Sequence, residues 1–307
     1  MNVKNTAFCK KQTLNCHGTV VDLSSPKIMG ILNVSPDSFY DGGKYQTGKQ
    51  ILNRVEKMLE EGADFIDVGG MSSRPGAKTV SEKMEMKRVI PVIKTIAKKF
   101  PNALISVDTF RARVAKASVE EGAALINDIS AGAFDENLFK TISGLNVPYV
   151  LMHMQGTPPT MQKNPAYNNV VKEIIDFFIK KLNKVKQAGI QDILLDPGFG
   201  FGKTVEHNYG ILRNLHDLQI FGLPVMVGIS RKSMICKALK INPEKALNGT
   251  TALHAIALLR GADILRVHDV KEAKEVMELV KAYRGGPKST VILSEGFAER
   301  RISLLEE

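Results

Sequence analysis

Eight short apolar runs recur along the chain, and each is followed by a stretch of helix length with an amphipathic pattern. The runs are "KIMGILNV", "FIDVGG", "ALISVDT", "ALINDIS", "PYVLMHM", "DILLDPG", "PVMVGIS" and "DILRVHD". The segments between them, such as "QILNRVEKMLEEG" and "RARVAKASVEEG", repeat apolar residues at helical spacing. Gly62, Gly122, Gly189 and Gly261 stand where these helices should stop, as helix-ending glycines do. Strands that are apolar on both faces belong in a parallel sheet covered by helices. Eight β–α units close a (β/α)8 TIM barrel, and 307 residues accommodate one. A doubly wound open sheet is the rival, but its G-x-G-x-x-G turn after the first strand is missing. The expected fold class is therefore α/β. A single (β/α)8 barrel covers residues 27–284, with a short N-terminal extension (1–26) and a C-terminal tail (285–307) leaving at a Gly-Gly-Pro break.

Composition narrows the class of ligand. The N-terminal stretch lacks the apolar core of a signal peptide, and no run approaches the ~18 apolar residues that span a bilayer. A cytoplasmic chain with no membrane contact is expected. Three cysteines (Cys9, Cys16, Cys236) without C-x-x-C spacing argue against a disulfide framework or a thiolate metal site. A net charge of +10 favours an anionic partner. Nucleic acid is set aside, because the lysines spread over helical stretches such as "KKLNKVKQ" and no tryptophan or basic–aromatic alternation offers a stacking platform. A small anionic substrate fits better.

Catalytic groups of such barrels gather at the C-terminal ends of the strands. Read in order, those ends carry Asn33, Asp108, Asn127 with Asp128, His153, Asp196, Ser230 with Arg231 and Lys232, and Arg266 with His268. The loop after the second strand adds Ser72, Ser73 and Arg74. Asp108, Asp196 and Asn127 form an acceptor-rich set suited to a flat heterocycle with amino and ring N–H groups on one edge, and Lys232 adds a donor. On an extended strand Arg266 and His268 share a face, so together with Arg74 they suit a polyanion. The alternative for Arg266 is an internal ion pair with Asp67, a mid-strand carboxylate that burial makes costly unless it is paired. Asn33 alone is a poor metal site, yet Mg2+ draws most of its ligands from substrate phosphate and water. In "DPGFGFGK" the glycines let backbone approach a ligand, and Phe199 or Phe201 can wall a pocket.

The blocks "MGILNVSPDSFYDGG", "DVGGMSSRPG", "ISVDTFRARVAKA", "INDISAG", "LMHMQGTPPTMQ", "LLDPGFGFGK", "VGISRKSMI" and "LRVHDV" closely resemble, in order, the signature blocks of the dihydropteroate synthase family. They run from about Lys27 to Tyr283. The resemblance implies a TIM barrel that transfers a pterin-methyl group from its pyrophosphate ester to the amine of p-aminobenzoate, with Mg2+ present. By motif, Asp108, Asn127, Asp196 and Lys232 would hold the pterin. Asn33, Ser73, Arg74, Arg266 and His268 would hold the pyrophosphate, with Asn33 toward the metal. Phe39, Ser73, Pro75, Phe201, Lys232 and Ser233 would border p-aminobenzoate, where sulfonamides bind in this family. Asp108, Lys232, Arg266 and His268 would carry the catalytic electrostatics, and Asp37, Ser38, Phe39, Ser73, Arg74 and Pro75 would close over the reaction. A homodimer through the late helices is also implied.

The chain departs from the common bacterial pattern at Met71, where Glu is frequent, at Ser73 in place of Thr, and at Pro159 in place of a basic residue. Two other readings share the barrel: a pterin-binding paralogue without catalysis, and a folate-binding methyltransferase. Asp37, Phe39, Ser73 and Arg74 argue against the first. Blocks "SRPG" and "SRKS" together with Arg-x-His argue against the second.

Overall fold

The computed structural model describes residues 10–34, 44–71 and 80–285. All eight apolar runs are parallel strands: β3 (Lys27–Asn33), β4 (Phe65–Gly69), β5 (Leu104–Asp108), β6 (Ala123–Asp128), β7 (Tyr149–Met152), β8 (Ile193–Asp196), β9 (Met226–Val227) and β10 (Ile264–Val267). They pair in the order β8-β7-β6-β5-β4-β3-β10-β9, and a bridge between Leu195 and Val225 joins the two ends. The sheet thus closes into the expected TIM barrel. Around it lie α1 (Lys44–Glu60), α2 (Glu82–Lys99), α3 (Ala112–Glu120), α4 (Leu138–Leu145), α5 (Val170–Gln187), α6 (Val205–Arg213), α7 (Ser233–Leu239), α8 (Leu247–Leu259) and α9 (Val270–Tyr283). Gly62, Gly122, Gly189 and Gly261 all have positive φ at the expected helix ends. Two of the helices, α7 and α8, occupy the single connection between β9 and β10.

The N-terminal extension has a fold that its sequence does not announce. Strands β1 (Thr13–Cys16) and β2 (Thr19–Asp22) form an antiparallel hairpin. Its Leu14, Cys16 and Val21, with Leu23, pack in one apolar cluster with Met29, Phe65, Leu125, Val150, Leu194, Met226 and Ile264, the inward residues at the lower end of the barrel. Each side chain so buried contributes roughly 1.5–3 kcal/mol by leaving water. Lys10 reinforces the seal through an ion pair with Asp263 at 2.6 Å. Burial pushes the Cys16 thiol up to about 12, so it serves as an apolar filler. The tail from 286 onward lies outside the described residues.

Strand periodicity turns this floor into a frame for the upper end. Two residues beyond Phe65, Leu104, Leu125, Leu194 and Ile264 come Asp67, Ser106, Asn127, Asp196 and Arg266. Side chains two apart share a face, so the interior changes within one layer from hydrocarbon to hydrogen-bonding groups. Among the described residues no helix is long and apolar enough to cross a membrane.

One buried group lies away from this layer. His254 on α8 is 1% exposed, and neither ring nitrogen has a hydrogen-bond partner among the described residues. Burial, weakly opposed by Asp269, holds its pKa down to about 4 from the ordinary 6.5. The unfolded chain therefore takes up a proton between these values that the folded chain refuses. Stability is intact above about pH 6.5 and drains away as pH falls toward 4. We predict that His254→Leu raises the melting temperature, because an unsatisfied buried polar group costs about 1–3 kcal/mol, and that the gain is larger at pH 5 than at pH 8. An equal or lower melting temperature at both pH values in thermal scans would show that the ring has partners.

Candidate active site

Asp67, fully buried on β4, is the centre of the polar layer. Its Oδ1 accepts a hydrogen bond from Ser106 Oγ at 2.6 Å, and its Oδ2 accepts from Asn127 Nδ2 at 3.1 Å. The Arg266 guanidinium donates to Asp67 Oδ2 at 2.6 Å and to Asp108 Oδ2 at 2.9 Å. The internal ion pair named as the alternative for Arg266 is therefore present, and it holds the guanidinium in place at the rim rather than removing it. Two positions further, just past the end of β10, the backbone N–H of His268 donates to Ser230 Oγ at 3.2 Å, and its Nδ1 lies 3.0 Å from the same oxygen. Arg54 donates to the His268 carbonyl at 2.7 Å.

The remaining expected residues face this pair. A Cβ on Gly228 would meet both Arg266 Cβ and Lys232 Nζ at 3.8 Å, so the two cations are neighbours across that glycine. Lys232 donates to the Phe199 carbonyl at 2.5 Å, and its ammonium stands 4.8 Å from the centre of the Phe201 ring. Burial brings its pKa down to about 8 against the pull of Asp196. Asp196, 6% exposed, accepts from Gly198 N at 2.7 Å, and burial raises its pKa despite Lys232. Burial likewise pushes Asp108 up to about 7, with Arg266 opposing. Two carboxylates raised and one lysine lowered by burial at one rim mark a candidate functional site. Ser233 begins α7 beside Lys232 and is exposed.

One wall is apolar. Ile129, Met152, Met161 and Phe201 form a separate cluster with Phe110 and Met154 packed against it. This is the lining a flat ring requires beside its polar anchors. Met152 is legible only by parity, as the inward neighbour of Val150 two positions earlier. Of the two loop phenylalanines, Phe201 joins this wall while Phe199, fully buried, joins the main core outside the barrel.

Three strand-end residues have other work and leave the candidate ring. Asp128 accepts from Ser130 N at 2.6 Å, Gly132 N at 2.7 Å and Tyr149 OH at 2.7 Å, which shapes the turn after β6. Arg231 forms a two-pronged pair with Asp269 at 2.8 Å and donates to the Pro243 and Glu244 carbonyls at 2.9 Å. His153 packs edge-on against Phe177 and takes up Lys203, and burial holds its pKa down to about 2. Position at a strand end marks these residues in the sequence, but the direction of the side chain decides their use.

Asp37, Ser38, Phe39, Ser72, Ser73, Arg74 and Pro75 lie outside the described residues. The flanks of the second of these loops are described. Arg111 pairs with buried Glu85, donates to the Val80 carbonyl at 2.5 Å and places Nη1 3.6 Å from Met71 Sδ. Arg88 donates to the Gly70 carbonyl at 3.0 Å. Met71, where the common pattern has an acid, thus sits against a guanidinium whose charge Glu85 already meets. Nothing in the sequence signalled Arg111, since arginines at helix starts are common surface residues.

For a metal, the described residues offer no group of three or more His, Cys, Asp or Glu side chains with suitable spacing. Asn33 Oδ1 and Asp108 Oδ2 both lie beside Gly69, 3.6 and 3.7 Å from where its Cβ would stand. Hard oxygens in small number fit Mg2+, which keeps water and phosphate ligands.

A TIM barrel whose rim joins an acceptor-rich, flat-walled pocket to a fixed guanidinium is an enzyme site for a heterocycle carrying an anionic group. Comparison with known proteins agrees. The model of the pterin binding enzyme family matches residues 29–268. Dihydropteroate synthase of Escherichia coli (strain K12) is 46% identical over 271 residues, which are 88% of this chain and 95% of that one. A structure of Yersinia pestis dihydropteroate synthase with a sulfonamide drug superposes with a TM-score of 0.83 at 45% identity, covering 89% of this chain and 99% of the other. Xanthomonas albilineans dihydropteroate synthase with 4-aminobenzoic acid gives 0.83 at 39% identity, covering 90% and 99%. The chain belongs to the dihydropteroate synthase family of pterin binding enzymes.

The ion pair at the centre yields a test. Removing one partner of a buried pair strands the other, so Asp67→Asn is expected to cost about 3 kcal/mol, the lower end of the usual range because Asp108 still holds Arg266. Chemical denaturation measures this. A loss under about 1 kcal/mol would mean that Arg266 is solvated without Asp67.

Proposed function

We propose a division of labour for the reaction that this chain catalyses, the condensation of 6-hydroxymethyl-7,8-dihydropterin pyrophosphate with p-aminobenzoate to 7,8-dihydropteroate and pyrophosphate. Asp108, Asn127 and Asp196 accept from the amino and ring N–H groups of the pterin, and Lys232 donates to its acceptor edge. Ile129 and Met152 lie against the ring face. Arg266 and His268, with Asn33, Ser73 and Arg74, hold the pyrophosphate. Phe201, Lys232 and Ser233, with Phe39, Ser73 and Pro75, border p-aminobenzoate, and sulfonamides compete there. The observation that carries this reading is the single Asp67–Arg266–Asp108 network, which sets a fixed cation beside an acceptor-rich pocket.

The bond between the pterin methylene carbon and the pyrophosphate oxygen breaks, and a bond from that carbon to the arylamine nitrogen forms. Arg266 and His268 meet the charge that grows on the leaving oxygen, the role expected of preorganised donors in a dry site. Asn33, with the substrate phosphates, would hold Mg2+, which would supply further neutralisation of that charge. Asp108, held by Arg266 close to the ring, favours the positive charge left on the pterin. The arylamine is nucleophilic when neutral and loses its proton to solvent, so the protein's contribution is largely position and charge.

The same reading includes a cytoplasmic homodimer. Helix α8 is apolar on nearly every side, a pattern that calls for cover on both faces. Yet Ile256 and Leu259 on α8, and Leu279 and Tyr283 on the adjoining α9, are exposed. A second copy supplies that cover.

Two outcomes are expected. Purified chain given the pterin pyrophosphate, p-aminobenzoate and Mg2+ releases pyrophosphate and forms dihydropteroate, while Asp196→Ala abolishes pterin binding in calorimetry. Turnover that does not depend on p-aminobenzoate, or unchanged pterin affinity in Asp196→Ala, counts against the roles assigned above. In sedimentation the chain runs as a dimer and Leu259→Glu, Leu279→Glu as a monomer. A monomeric parent chain at micromolar concentration removes the dimer.

A further inference from the structure

The glycine-rich turn after β8 is wound around a lysine that takes no part in the rim. Lys203 is 3% exposed. Its Nζ lies 2.9 Å from His153 Nδ1 and donates to the carbonyls of Gly198 at 2.9 Å, Phe201 at 3.0 Å and His153 at 3.3 Å. These acceptors outnumber the three N–H bonds of an ammonium, so they surround it as a closed cage. The turn is pressed against the segment that follows β7. A Cβ on Gly198, where φ is +70°, would stand 1.9 Å from the His153 carbonyl oxygen, and one on Gly202, at +63°, would stand 2.2 Å from that of Gln155. Close approach aims carbonyl dipoles of both segments at one point, and a cation there turns their repulsion into attraction. Burial brings the lysine's pKa down to about 7, and His153 is kept neutral with Nδ1 available as an acceptor.

The caged turn carries groups that the rim uses. Phe199 offers its carbonyl to Lys232, and Phe201 presents its ring to the same ammonium and to the apolar wall. We infer that Lys203 is a positioning residue: by gathering the Gly198, Phe201 and His153 carbonyls it sets the curve of the turn, and so the placement of the Phe201 ring and of Lys232 against p-aminobenzoate. A hydrocarbon side chain of equal length cannot gather carbonyls, and displacement of a binding wall by about 1 Å costs up to a hundredfold in rate or affinity. This rests on the placement of p-aminobenzoate beside Phe201.

The test is a cycle of Lys203→Met, Phe201→Leu and the pair, each assayed for KM, kcat and melting temperature. Lys203→Met is expected to raise KM for p-aminobenzoate by about tenfold or more, with kcat within about threefold of the parent. In the Phe201→Leu background the same change is expected to add little, because both act through one ring. Lys203→Gln, which keeps two N–H donors, recovers part of the loss. A Lys203→Met protein with lowered melting temperature but the parent's KM has lost only a fold contact, and the inference fails. The inference also fails if the two single effects multiply, or if neither Lys203→Met nor Lys203→Gln folds. If instead Phe201→Leu leaves KM unchanged, it is the placement of p-aminobenzoate that is wrong.

Discussion

A guanidinium and a carboxylate, drawn from the eighth and second strands of the barrel, meet inside it one layer above a floor of hydrocarbon. Arg266 cannot shed its charge, and Asp67 is fully enclosed, so neither is tolerable there without an ionic partner, and each supplies one to the other. The pairing has consequences in both directions. Below it the interior is dry, with Phe65, Leu125, Leu194 and Ile264 packed on the Leu14 hairpin. Above it, the second arm of the guanidinium donates to Asp108 at the end of β5. Ser106 and Asn127 add a hydrogen bond to each oxygen of Asp67, so neither is left without a partner where an open hydrogen bond would be expensive.

The rim gathers buried groups of both charges. Burial raises Asp108 and Asp196 and lowers Lys232, although each stands near an opposite charge. An electroneutral cluster could have been built with less burial. What burial adds is low local polarity, in which hydrogen bonds to a bound ring and ion pairs to its anionic arm are stronger than in water. Lys203 repeats the theme of a buried charge, since its ammonium, held by a neutral imidazole, donates to carbonyls of a turn that glycine alone allows to pack so closely.

Some of this was legible in the chain and some was not. The barrel was, because an apolar run and an amphipathic segment repeated eight times leave few ways to cover a parallel sheet. Asp108, Asn127, Asp196, Lys232 and Arg266 were legible as a set, because strand ends in such a barrel converge whatever lies between them. The hairpin was not. "TLNC" and "TVVD" are too short to show a period, and their apolar residues acquire meaning only against a barrel floor assembled from distant strands. Asp128, His153 and Arg231 looked like members of the ring for the same reason that Asp108 did, and only their partners distinguish them.

The sequence by itself determined the order of strands and helices, the parity that sends Asp67 and Arg266 inward, and the kinship with dihydropteroate synthases, all of which depend on local pattern or on collinear motifs. Tertiary structure alone decided that those two charges touch, that Phe201 joins the apolar cluster at the rim while Phe199 joins the outer core, and that Lys203 donates to carbonyls of its own turn. The reason is that pattern records which face a residue occupies, whereas the burial and partners that fix its charge and role come from distant segments, 199 residues away in the case of Asp67 and Arg266.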